Sequence, residues 1–108
     1  MDMKETIRES LINACLQCRP NIFKKYLFSK NVTTAFPSKK GFYEFFHYSL
    51  GVAKKTSLGN MRLVVTFPES HNNKLKEYKF YNSENPSYCF SVIVDDNNDK
   101  LHLDMFPF

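Results

Sequence analysis

The sequence contains no tryptophan, only three glycines and three cysteines, and no long apolar run. Nothing in it approaches the ~18–20 consecutive apolar residues that a membrane-crossing helix needs, so no membrane span or membrane partner is expected. An odd cysteine count cannot close into a paired disulfide framework. With acidic residues early in the chain and no apolar leader, it fits free thiols in a reducing compartment, and the expected location is cytoplasmic. Repeats, low-complexity tracts and Gly/Ser-rich linkers are also missing, which implies one domain over residues 1–108. Charge of either sign is modest. The net value of +4 permits an acidic partner without requiring one. What the chain has in quantity is phenylalanine, eleven residues of it, beside six tyrosines. A chain of 108 residues that is 43% hydrophobic is too apolar for disorder and long enough to bury a core of large rings.

The C-terminal half alternates. Met61, Leu63, Val65 and Phe67 alternate with Arg62, Val64 and Thr66. Leu75 to Tyr81 follows more weakly, with Tyr78 and Phe80 on one side. Tyr88, Phe90, Val92 and Val94 form a third set, and Leu101, Leu103 and Met105 a fourth. A period of two places each set on one face of a pleated sheet. The connections between runs are too short for parallel crossovers, so the pairing should be antiparallel. Turns are expected at Ser70–Asn73, at Asn82–Ser87 and at Asp95–Lys100.

The N-terminal half has helical spacing. Asp2 and Glu5 stand as a capping pair, and Ile7, Leu11, Ala14, Cys15 and Cys18 recur at three- and four-residue steps. Pro20 ends that helix and can begin a second, where Ile22, Phe23, Tyr26 and Leu27 cluster. Val32 to Phe36, closed by Pro37, reads as an edge strand or extended connector. Ser38 is placed to cap a third helix whose apolar stripe is Phe42, Phe45, Phe46, Leu50 and Ala53. Tyr43 and His47 lie one turn apart on a neighbouring stripe, Lys54 and Lys55 suit the C-terminal dipole, and Gly59 is a natural stop. The fold class that follows is α+β, with N-terminal helices packed on a curled antiparallel sheet of four to five strands.

The helix split at Pro20, the Val32–Phe36 strand before Pro37, the Phe-rich helix from Ser38 and the four late strands together resemble the cone-shaped superfamily named after nuclear transport factor two. The resemblance covers nearly the whole chain as topology and matches no subfamily motif. The superfamily holds ketosteroid isomerases, scytalone dehydratase, polyketide cyclases and non-catalytic interaction domains, including toxin-immunity proteins that mask a partner. It implies a cone-like sheet and dimerisation through the sheet's exposed face. Its isomerases use a carboxylate base with a Tyr-type oxyanion donor, a pattern that no position here reproduces.

Individual motifs add little chemistry. Cys15 and Cys18 form a C-x-x-C late in a helix, where the dipole does not favour a thiolate, so core packing is the expected role. Asp95 to Asp99 has the alternate acids of a calcium loop, but Lys100 stands at its glycine position and Phe106 at its bidentate glutamate, so no metal or cofactor is expected. His71 falls in a turn. His102 and Asp104 share a strand face and, with Tyr43 and His47, are the catalytic groups to consider if the cone is an open pocket. Lysine pairs at 24/25, 39/40 and 54/55, and Lys74, Lys76 and Lys79 interleaved with Tyr78 and Tyr81, offer a pattern for single-stranded nucleic acid, though without a recognition motif. Phe106 and Phe108 end the chain on large rings, which either close the core or dock on another subunit; with Tyr78 and Tyr81 they are the interface candidates.

The leading functional reading is a small non-catalytic module that binds a protein partner, immunity- or inhibitor-like, and forms a homodimer. The alternatives are a small-molecule pocket enzyme of isomerase or dehydratase type and a nucleic-acid-binding domain.

Overall fold

Helix α1, Met3–Gln17, buries Ile7, Leu11, Ala14 and Cys15, the stripe that three- and four-residue spacing dictates. This computed structural model describes residues 3–57, 61–66, 75–82, 88–97 and 100–107. The expected roles of Asp2, Gly59, Phe67, His71, Lys74 and Phe108, the turn at Ser70–Asn73 and residues 83–87 of the turn at Asn82–Ser87 lie outside the described residues. At the end of α1 the Cys18 N–H donates to the Cys15 carbonyl at 3.2 Å and the Arg19 N–H to the Ala14 carbonyl at 2.9 Å. That pair of bonds is a Schellman closure, and it puts Cys18 in the left-handed region at φ 53°. Glycine usually fills that place, and a side chain there costs about 1 kcal/mol. Pro20 follows, and α2 runs over Asn21–Leu27 with Phe23 and Leu27 buried.

Helix α3, Lys39–Ser57, opens on the expected cap: the Gly41 N–H donates to Ser38 Oγ at 3.0 Å. Its buried side is Phe42, Phe46, Leu50 and Ala53. Phe45 departs from the expectation. It is only partly buried, against Phe36 at a centroid distance of 5.7 Å, because its position on the turn carries it to the rim of the stripe.

The strands are β1 (Val32–Thr34), β2 (Met61–Thr66), β3 (Leu75–Asn82), β4 (Tyr88–Asn97) and β5 (Lys100–Pro107). They form an open sheet in the order β1-β5-β4-β3-β2. The last four pair antiparallel, as their short connections require. The short first strand corrects the purely antiparallel expectation. It pairs parallel with β5, Val32 opposite Leu101 and Thr34 opposite Leu103, so the sheet is mixed. A strand that precedes α3 and meets the final strand at the edge is free of the hairpin constraint that forces its neighbours antiparallel.

One face of the sheet carries Tyr78, Phe80, Phe90, Val92, Val94, Leu101, Leu103 and Met105 into a core shared with all three helices. The register also contains a bulge: Phe80 faces Phe90 but Tyr81 faces Tyr88, leaving Cys89 as the extra residue. A bulge interrupts alternation, which explains why Cys89 and Phe90 are both buried although adjacent. Asp96, near the end of β4, ties the sheet to α1 through Lys4 Nζ at 2.7 Å and Arg8 Nη2 at 3.7 Å.

Candidate functional site

The space between α3 and the sheet is the natural place for a pocket in a fold of this kind, and rings occupy it. Phe42 and Phe46 stack at 6.0 Å, Phe23 tilts against Phe46 at 6.0 Å, and Phe80 stacks on Phe90 at 5.0 Å. All five rings are fully buried. These rings belong to one buried core and fill the described part of that space.

The four residues considered for catalysis are accordingly divided between two surfaces. Tyr43 and His47 lie on the side of α3 that faces α2, their rings 6.1 Å apart. His102 and Asp104 alternate with the buried Leu101, Leu103 and Met105, so they stand on the opposite, helix-free face of the sheet. There His102 Nδ1 bonds Thr33 Oγ1 at 2.9 Å, across the parallel β1–β5 pair. Asp104 Oδ1 accepts from the Met105 N–H at 2.8 Å. The idea that both pairs look into one cavity is therefore corrected: the pleat sends β5's polar set away from the helices.

The interface candidates separate in the same way. Phe106 is 44% exposed on the outer face, opposite Ser91 of β4. Tyr81, half-buried, shares that face of β3 with Glu77 and Lys79. Tyr78 does not. It is buried in the core, where desolvation raises its phenol above the usual value, partly offset by nearby Arg8.

A concave site does exist on the other side of the molecule, at the corner between α1 and α2. It is a groove of about 510 Å³, lined by Cys18, Arg19, Asn21, Ile22, His47 and Lys54, with Pro20 forming the bend. The Schellman closure builds its floor by turning the chain sharply at Cys18. Spacing builds its wall: His47 and Lys54 are seven residues apart, two turns along one side of α3. The Tyr43 hydroxyl reaches Asn21 Oδ1 at 3.4 Å, and Lys24 Nζ sits 5.3 Å above the Tyr43 ring, which holds α2 against α3 at the groove's end. Burial pushes the Cys18 thiol up, and the Cys89 neighbour adds to this, while Lys54 works in the opposite sense. The sulfur is a neutral thiol at neutral pH. Sequence reasoning singled out His47 and Cys18 but not their convergence with Arg19 and Lys54. The visible signal was the seven-residue step from His47 to Lys54.

The remaining motifs are absorbed by the fold. Cys15, Cys18 and Cys89 are buried, and no disulfide joins them. Among the described residues, no group of three or more His, Cys, Asp or Glu side chains is arranged to hold a metal ion. No described helix is long and apolar enough to cross a membrane. The lysine pairs do not converge: Lys24 and Lys25 lie over separate tyrosine rings, Lys39 donates to the Ser29 carbonyl, and Lys79 approaches Glu77 at 3.9 Å. Comparison with protein-family models, with curated proteins and with solved structures finds no match to this chain.

Proposed function

We propose that the chain is a non-catalytic protein-binding module of the cone-shaped superfamily, whose working surface is the helix-free face of its sheet. The observation that carries this reading is the filled hollow. Phe23, Phe42, Phe46, Phe80 and Phe90 occupy the volume in which the superfamily's enzymes would hold a substrate. Element order supports the family reading: two helices, a short strand, a helix and four strands, with the first strand beside the last. Three cysteines outside any disulfide fit a cytoplasmic setting.

The occupant of the sheet face is a second copy of the chain. Phe106 and Ile93 supply an apolar centre over the small, fully buried Ser91. Asp95 and Asp104 stand toward one end of this face and Lys79 and Tyr81 toward the other. A two-fold axis through the centre brings the acidic end of one copy onto the Lys79 end of its mate, the self-complementary arrangement an isologous interface needs. Sedimentation velocity is expected to give a dimer for the wild type and a monomer for Phe106→Lys/Ile93→Lys, with both equally folded by circular dichroism. A wild type that stays monomeric across the micromolar range, or a double variant that still sediments as a dimer, overturns it.

A further inference from the structure

The groove at the α1–α2 corner is lined by residues of the helices and their turn and plays no part in the proposed dimer. Its volume of about 510 Å³ suits a small molecule rather than a chain segment. Its polar lining has one sign. Arg19 and Lys54 are cationic, His47 can accept a proton, and the Asn21 amide and Cys18 thiol can donate. Among the described residues no carboxylate lines it. Among the described residues no ion pair engages Arg19, His47 or Lys54, whereas Lys4, Arg8 and Lys79 all have carboxylate partners. Two cationic side chains along one groove attract an anion that enters it.

We infer that this groove binds a small diffusible phosphate monoester, with its phosphate between Arg19 and Lys54 and its organic part against Pro20 and Ile22. A guanidinium fork on one side and an ammonium on the other suit a dianion with several acceptor oxygens. Pro20 and Ile22, both partly exposed in the groove, provide apolar cover for a compact body.

The test is a titration at constant ionic strength, following backbone amide shifts of residues 18–22 and 47–54, with inorganic phosphate, phenyl phosphate and chloride. Saturable shifts with phosphate, stronger with phenyl phosphate and absent with chloride, are the expected result. Arg19→Gln/Lys54→Gln should raise the dissociation constant for phenyl phosphate by about tenfold or more, while Lys30→Gln/Lys40→Gln changes it by less than about twofold. All four side chains are exposed or half-exposed on helices and turns, so folding is retained and is checked by circular dichroism. Equal shifts with chloride overturn the site, and so does equal weakening in the two double variants. Tighter, steeply salt-dependent binding of a short single-stranded oligonucleotide overturns the small-ligand assignment. Dimer mass is read separately, so failure here leaves the sheet-face reading intact.

Discussion

Replacing Phe46 by alanine is expected to cost ~3–5 kcal/mol of unfolding free energy, a large fraction of the stability of a domain this size. Phe46 is fully buried and touches two other rings, Phe23 on one side and Phe42 on the other, each at 6.0 Å. Truncation removes its transfer energy and leaves a void that neighbours on three elements cannot collapse into together, since α2, α3 and the sheet are each fixed by other contacts. Phe45→Ala, one residue earlier, should cost about half as much or less, because that ring lies at the rim against Phe36. Urea titration of the two variants separates them by midpoint at unchanged slope. Equal losses would show that the helix face is rotated from the one described, and would remove the filled hollow on which the non-catalytic reading stands.

The second large effect is alkaline destabilisation. Cys15 is fully buried, and burial together with the neighbouring Cys18 holds its thiol well above the ordinary value of 9.0. Once pH exceeds that ordinary value the unfolded chain releases the proton and the folded chain keeps it. The unfolded state then binds fewer protons, so stability falls as pH rises. The contribution is fully present below pH 9 and is lost at up to about 1.4 kcal/mol per pH unit above it until the folded thiol itself ionises. Cys18 and Tyr78, also raised by burial, add to the same trend. Lys39 opposes it, since burial and Lys100 hold its ammonium down and the cost is relieved as that group deprotonates. Cys15→Ala, which removes a buried sulfur, should cost about 1 kcal/mol at pH 7 and flatten the alkaline limb. Urea midpoints between pH 7 and 10.5 measure this; parallel limbs for the two proteins would mean that Cys15 reaches solvent.

Much of the fold was legible because periodicity is a local property. The stripe Ile7, Leu11, Ala14, Cys15 names the buried side of α1, and Leu101, Leu103, Met105 names that of β5, without reference to anything else in the chain. The Ser38 cap and the break at Pro20 were equally local. The candidate site was less legible. Alternation says that His102 and Asp104 share a face, but not which face the helices cover. Tyr78 was misplaced for a related reason: an aromatic between lysines looks like a surface stacker until its register with Phe80 and Val92 is known. The groove could not be foreseen, because Arg19 and Lys54 meet only through a turn at Cys18 that requires a positive φ at a residue which seldom adopts one.

By itself the sequence determined which residues are helical, which are extended, and which side of each element is apolar, since those follow from 3.6- and two-residue repeats acting over a few neighbours. Only the tertiary structure decided that β1 joins β5 in parallel, that a bulge turns Cys89 inward, and that five rings meet in the middle. Those outcomes depend on pairings between segments distant in the chain. Their selection rests on how volumes and hydrogen bonds can be satisfied together, which no short window of residues contains.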